Sequence, residues 1–292
     1  MPRESPDDAV VAAVLSWYAH AGRDLPWRDG RADPWGVLVS EVMLQQTPVS
    51  RVEPVWREWM ERWPTPADLA AASQADAVRA WGRLGYPRRA ARLWECARAL
   101  VDHHDGAVPT SRAELLALPG VGDYTAAAIV SFAHGGRAPV IDTNVKRVFA
   151  RVWGGEEFAQ SAGVSAAERS LVERVLPAEP AAAAEWAVAS MELGALVCTA
   201  RAPNCDGCPI TAHCAWRAAG YPASGLVKRP TQGWHGTDRQ VRGRILALLR
   251  EAQEPAELAG LAGVPSEQFA RALTSLLADG LVTETAAGTF SL

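Results

Sequence analysis

Leu118-Pro119-Gly120-Val121-Gly122-Asp123-Tyr124-Thr125-Ala126-Ala127-Ala128-Ile129 is the stretch on which the fold turns. Upstream of it, Ser111-x-x-Glu114 is a capping box that opens a helix over Arg112 to Leu118. Pro119-Gly120-Val121-Gly122 breaks that helix. A second starts near Asp123 and runs through Tyr124, Ala126, Ile129 and Phe132. Two glycines around one apolar residue allow backbone angles that other residues resist. They leave the amides of Gly120, Val121 and Gly122 open at the positive end of the second helix, a geometry suited to one phosphate oxygen. A plain helix turn is the competing reading.

Outward from this hairpin the chain reads as all-α. Apolar residues recur at spacings of three and four, and Pro or Gly punctuates them. The spacing predicts helices over Val10–Ala19, Trp35–Gln46, 50–62, 66–72, 74–82, 88–103 and Thr143–Val152. The 292 residues suffice for two or three modest domains with a sizeable core. Residues 224–236, SGLVKRPTQGWHG, lack periodicity and read as a linker. Beyond them Asp238–Ala252, Pro255–Leu261 and Ser266–Ala278 read as helices. Leu281–Thr283 and Thr289–Ser291 read as a hairpin, which completes a winged-helix-like pattern over 237–292.

Two carboxylates stand out. Glu41 lies in Val37-Leu38-Val39-Ser40-Glu41-Val42-Met43-Leu44, which is apolar nearly all round. Burial there disfavours the charged form, and a neutral carboxylic acid can serve as a general acid. An arginine partner in the core is the alternative. Asp142 follows Ala138-Pro139-Val140-Ile141 and precedes Thr143–Val152, so it reads as an N-cap. A capping aspartate is expected to be ionised and firmly placed, able to stabilise a cationic sugar.

Cys198, Cys205, Cys208 and Cys214 form a C-x6-C-x2-C-x5-C run that can converge on one metal centre. Spacing does not choose between zinc and an iron–sulfur cluster. One uneven run, rather than two C-x2-C knuckles, favours a 4Fe-4S cluster. Cys96, in an apolar helical stretch, reads as a core thiol.

The net charge is −4, and residues 250–292, with two arginines against six acidic residues, account for all of it. Local basic runs remain, namely Arg79, Arg83, Arg88, Arg89 and Arg92, and Arg137, Lys146, Arg147 and Arg151. Each is either a phosphate-binding patch or a solvated helix face. The acidity of the last unit favours a protein partner over duplex DNA. No apolar run approaches a membrane span, and the polar, acidic start, MPRESPDDAV, is unlike a leader, so a cytoplasmic protein without membrane contact is expected.

Six motifs together resemble the MutY-type adenine DNA glycosylases of the helix-hairpin-helix superfamily. They are LPWR at 25–28, SEVMLQQT at 40–47, WGRLGYPRRA at 81–90, LPGVGDYTAAAI at 118–129, VIDTNVKRVFAR at 140–151, and MELGALVC at 191–198 leading into the cysteine run. The resemblance covers residues 9 to 220. It implies a two-lobed all-α fold: a six-helix barrel at about 29–139, and a lobe of 1–28 plus 140–223 that holds a 4Fe-4S cluster. It implies a nucleoid-associated monomer acting on double-stranded DNA with an adenine mispair, the adenine opposite 8-oxoguanine or guanine and flipped out of the stack. By resemblance, Glu41 protonates adenine N7, and Asp142 stabilises or traps the oxocarbenium ion. Tyr124 supports the pocket and Asn144 holds Asp142. Arg23, Trp27, Arg28, Leu44 and Glu192 line the adenine pocket. Gln45, Gln46, Thr47, Leu84 and Tyr86 wedge into the duplex.

The related endonuclease III type, which cuts the backbone through a lysine Schiff base, carries that lysine two residues after the second hairpin glycine. Tyr124 stands there, so a glycosylase with little or no strand cleavage is expected. A non-catalytic, metal-stabilised DNA-binding regulator is the reading from another class; the pairing of Glu41 with Asp142 speaks against it. The short acidic unit stands where many members carry a Nudix-like domain. Weaker preference for 8-oxoguanine over guanine is therefore expected than in long members.

Overall fold

The structure, a computed structural model, describes residues 5–28, 33–159, 163–225, 233–252 and 254–292. In chain order the helices are α1 (Pro6–Ala21), α2 (Pro34–Leu44), α3 (Val49–Arg62), α4 (Pro66–Ala71), α5 (Gln74–Ala80), α6 (Arg88–His104) and α7 (Arg112–Ala117). Then follow α8 (Asp123–Ala128), α9 (Thr143–Val152), α10 (Ala166–Val175), α11 (Pro180–Leu196), α12 (Ala215–Ala218), α13 (Asp238–Glu251) and α14 (Ser266–Ala278). Strands β1 (Thr283–Glu284) and β2 (Phe290–Ser291) pair antiparallel, Thr283 with Ser291 and Glu284 with Phe290. The all-α expectation holds, and most of the 224–236 linker lies outside the described residues.

The chain forms two compact units. The first is Met1–Leu38, Pro109–Ala117 and Val121–Val227; the second is Val39–Val108, Leu118–Gly120 and Lys228–Leu292. Residues 121–139, expected in the barrel, thus group with the first unit, and 237–292 group with 39–108.

In the first unit, α1, α9 and α11 pack through Val10, Val14, Val145, Val148, Phe149, Trp186 and Leu193. Ser5, Ser165 and Asp142 cap α1, α10 and α9 with their side chains, so each start is set by a local hydrogen bond. A small-residue cluster of Ala127, Ala128, Ala138, Val140 and Ala187 packs beside α8. That helix does not run evenly through Phe132 as the spacing suggests. It widens into a π turn over Ile129–Ala133.

In the second unit, Trp59 meets Trp63 and Trp81 edge-on at 4.9 and 5.6 Å. Cys96 is buried and burial pushes its thiol up to about 12, so it is the core thiol expected. The predicted helix over Pro255–Leu261 does not form. Ala256 instead exchanges two 2.9 Å backbone hydrogen bonds with Phe290, which holds it extended. The predicted hairpin strands shift by up to two residues, because Leu281 and Val282 are buried as core before the strand begins.

Candidate active site

Asp142 is the N-cap of α9. Its Oδ1 accepts from the Val145 amide at 2.7 Å, and its Oδ2 accepts from Asn144 Nδ2 at 2.7 Å. Asn144 Oδ1 in turn accepts from Arg147 Nη2 at 2.8 Å, and the same guanidinium donates to the Gly194 and Cys198 carbonyls, each at 2.7 Å. Gly194 permits this crossing of α11 over α9, since a Cβ there would lie 2.7 Å from Asn144 Cβ. Burial raises the pKa of Asp142; the hydrogen bonds from Val145 and Asn144 and the charge of Arg147 oppose it. The carboxylate is firmly placed, as a cap should be, but burial works against its charge.

Glu41 sits two turns into α2, which is buried on every side from Trp35 to Met43. It is 5% exposed, next to Ser40 at 0%. The helix then surfaces at its end, where Leu44 and Gln45 are half-buried and Gln46 is exposed.

Glu192 on α11 is fully buried. Its Oε1 accepts from Arg23 Nε at 2.6 Å and from the Arg23 amide at 3.1 Å. Its Oε2 accepts from Arg23 Nη2 and Arg28 Nη1, each at 2.9 Å. Burial alone would raise the Glu192 pKa, but the two guanidinium groups overrule it and hold it at about 2. Trp27 is buried between the two arginines in sequence. The Tyr124 hydroxyl lies 3.7 Å from Met191 Sδ.

Arg89 organises the residues expected to enter the duplex. Its Nη1 donates to the carbonyls of Val42, Met43 and Gln45 at 2.6–2.9 Å, closing the end of α2. Its Nη2 donates to Thr47 Oγ1 and to the Gly85 carbonyl, each at 3.0 Å. One side chain thus ties the 45–47 segment to the 84–86 loop, and burial pushes its pKa down to about 10. Gln46 (φ +55°) and Tyr86 (φ +47°) both hold left-handed backbone that non-glycine residues rarely adopt. Tyr86 is 50% exposed. Leu84 is 4% exposed and Thr47 is buried, so of the expected wedge only Gln46 and Tyr86 project well into solvent, with Gln45 half-buried.

In the hairpin, only Gly120 (φ +80°) needs glycine's freedom; a Cβ there would also meet Arg92 Cβ at 2.9 Å. Gly122 is ordinary extended backbone with open space where a Cβ would be. Asp123, at the head of α8, pairs with Arg112 and with Arg169 (3.6 Å).

Cys198, Cys205, Cys208 and Cys214 line one pocket together with Arg151, Trp216 and Thr211. Burial pushes Cys208 up to about 11 and raises Cys214. Arg151 Nη1 lies 3.3 Å from Cys198 Sγ, and among the described residues the buried Thr211 hydroxyl has no hydrogen-bond partner. Among the described residues no three His, Cys, Asp or Glu side chains gather closely enough for a single metal ion.

With this geometry established, likeness to known proteins becomes informative. The model of the HhH-GPD superfamily of base excision DNA repair proteins matches residues 39–174. An adenine DNA glycosylase of Mycolicibacterium smegmatis is 52% identical over 282 residues, covering 96% of this chain and 94% of that protein. The chain belongs to the adenine DNA glycosylase family of HhH-GPD proteins. An adenine DNA glycosylase of Mycobacterium tuberculosis is 49% identical over 302 residues, covering 100% of this chain and 98% of that protein. A solved thermostable thymine-DNA glycosylase matches with a TM-score of 0.66 at 27% identity, over 73% of this chain and 97% of that chain.

Two residues that organise this family site, Arg89 and Arg147, escape a reading of the sequence; both pass there as members of basic runs. The second run proves largely internal, whereas Arg83, Arg88 and Arg92 of the first are exposed. Arg137 caps the end of α10 through the Glu173, Leu176 and Pro177 carbonyls, Lys146 pairs with Glu168 at 3.2 Å, and Arg151 is buried. The only advance signal for Arg147 was its position three residues after Asn144, on one face of α9.

Proposed function

We propose that this protein removes adenine mispaired with 8-oxoguanine or guanine from duplex DNA by hydrolysing the N-glycosidic bond. The observation that carries the chemistry is Glu41, an acidic residue almost wholly buried in a helix that is otherwise apolar. Full-length relatives named adenine DNA glycosylase support the choice of base.

In this reading the adenine is extruded from the stack. Glu41 acts as the acid and donates a proton to adenine N7, so the base leaves uncharged and the sugar becomes an oxocarbenium ion. Asp142 stabilises that cation. Its carboxylate, oriented by Asn144 and the Val145 amide, is poorly solvated, and a nearby positive charge relieves this most in the transition state. Water then adds to C1′ with Glu41 as base. Tyr124 occupies the place of the lyase lysine and forms no Schiff base, so the product keeps an intact backbone. Glu192 fixes Arg23 and Arg28, and with Trp27 and Leu44 they form the adenine pocket. Gln45, Gln46, Thr47, Leu84 and Tyr86 serve the opposite strand, and Gly120, Val121 and Gly122 take a phosphate.

The four cysteines would hold a 4Fe-4S cluster. Bound there, the cluster would supply four iron–thiolate cross-links that fix the loop between α11 and α12. Thr211 and Arg151 would donate to its sulfurs.

Single-turnover excision on duplexes with adenine opposite 8-oxoguanine, guanine and cytosine, beside a thymine-glycol duplex, tests the reading. Adenine release opposite the first two is expected. Release of thymine glycol instead would reverse it, and borohydride trapping of a covalent adduct would overturn the monofunctional assignment.

A further inference from the structure

The arginines of the second unit are mostly spoken for. Arg62 and Arg79 approach Asp76, Arg57 pairs with Glu53, and Arg92 pairs with Glu95. Arg88 and Arg242 share Asp279, at 3.5 and 2.6 Å. Arg89 is consumed by backbone carbonyls. Six described arginines of this unit besides Arg89 pair with no carboxylate; of these Arg98 and Arg239 lie over Trp94 and Trp234 and Arg244 donates to the Ala262 carbonyl, which leaves Arg51, Arg83 and Arg250.

These three belong together. Arg51 Nη2 donates to the Arg83 carbonyl. Arg250, in the last turn of α13, donates through Nε to the Val78 carbonyl at 3.2 Å, and among the described residues its two Nη groups have no hydrogen-bond acceptor. Desolvation lowers the Arg250 pKa, and the Arg83 charge lowers it further. Arg51 and Arg83 are exposed and Arg250 is half-buried. Like charges gathered without a counter-ion are unfavourable, and an anion that accepts from all of them relieves the repulsion. Arg83 immediately precedes Leu84-Gly85-Tyr86, and Arg51 follows Gln45-Gln46-Thr47 by one helical turn, so the cluster flanks both segments assigned to the duplex.

We propose that Arg250, Arg83 and Arg51 bind a backbone phosphate of the DNA duplex, so that the C-terminal unit holds the substrate through one arginine. The unit is otherwise acidic, which keeps the contact narrow. It is set against the 39–108 segment by Gln74 Nε2 donating to the Gly280 carbonyl at 2.6 Å and by the Arg88–Asp279 pair. The inference rests on the reading of the protein as a duplex-DNA enzyme, but not on adenine as the base.

The test uses the full chain and two duplexes of equal length, one fully matched and one carrying an uncleavable adenine analogue opposite guanine. Dissociation constants are measured between about 50 and 200 mM salt for wild type, Arg83→Gln, Arg250→Gln and Arg250→Lys. A phosphate contact is blind to sequence. Each glutamine variant is therefore expected to lose about one unit of salt slope and to bind about three- to tenfold more weakly on both duplexes, while the lysine variant keeps the slope. Unchanged slopes in Arg83→Gln and Arg250→Gln overturn the proposal. Arg83 is exposed and among the described residues its side chain makes no hydrogen bond or ion pair, so that variant decides the matter if Arg250→Gln fails to fold. A wild type with no preference for the adenine duplex but normal slope losses would count against adenine excision and not against this site.

Discussion

Asn144 Nδ2 donates a 2.7 Å hydrogen bond to Asp142 Oδ2, on a carboxyl whose pKa is raised by burial. Position and charge are therefore at odds. A group whose folded pKa lies above its unfolded value of 3.8 favours folding below that value and loses this contribution as pH rises through the folded pKa. Above the folded pKa the wild type carries the full desolvation penalty. Asp142→Asn should thus melt within a few degrees of wild type, or above it, at pH 7, with any advantage shrinking below about pH 4. Its excision rate should fall about 10³-fold. Calorimetry against pH with single-turnover kinetics checks both; a strongly destabilised variant at pH 7 would contradict the balance drawn here.

Glu192 has the opposite sign. Its pKa is held at about 2 against an unfolded value of 4.5, so its contribution is complete above 4.5 and lost as pH falls from there towards 2. Glu192→Gln removes the anion and leaves Arg23 and Arg28 facing a neutral amide, a loss of about 3 kcal/mol at pH 7. Its acid unfolding curve should be flatter than wild type between those two pH values. A curve parallel to wild type would show that the pair is not coupled to folding.

Arg89→Ala should cost about 3 kcal/mol, since several charge-assisted bonds to buried carbonyls are lost at once. Arg89→Lys cannot span both segments, so it should recover stability in part and base extrusion hardly at all. A fluorescent adenine analogue in the duplex reports extrusion directly. Full extrusion by the lysine variant would mean that Gln46 and Tyr86 hold their strained backbone without this tie.

Iron analysis of purified protein should give about four iron atoms per chain, and Cys208→Ser should lower that content and the melting temperature together. Stoichiometric zinc in native protein would instead favour the single-ion alternative.

Preference for 8-oxoguanine over guanine opposite adenine should remain below about 100-fold, because discrimination rests on the short wedge alone. Rates on the two duplexes under single turnover measure it. A larger ratio would require a reader of 8-oxoguanine beyond Gln45, Gln46, Thr47, Leu84 and Tyr86.

Legibility in the sequence tracked the range of the interaction. Asp142 was readable as a cap because its acceptor bond reaches only to Val145, and α9 and α14 took their predicted bounds because periodicity and neighbouring turn residues are local signals. Glu41 was readable as buried because α2 has no polar face. The helix expected at Pro255–Leu261 failed for a distant reason, the bridge from Ala256 to Phe290. Leu84 read as a wedge and proved buried, because its side of the loop is set by Arg89 and Thr47 rather than by its neighbours in sequence.

By itself the amino-acid sequence determined where most helices start and stop, which carboxylates are out of place, and which cysteines fall in one short run. All of these follow from contacts a few residues apart or from composition along one helix. Only the tertiary structure decided which arginines are spent and which are free. Arg23 and Glu192 are 169 positions apart, and Arg250 meets Val78 across 172, so their charges are assigned by packing that no local pattern encodes.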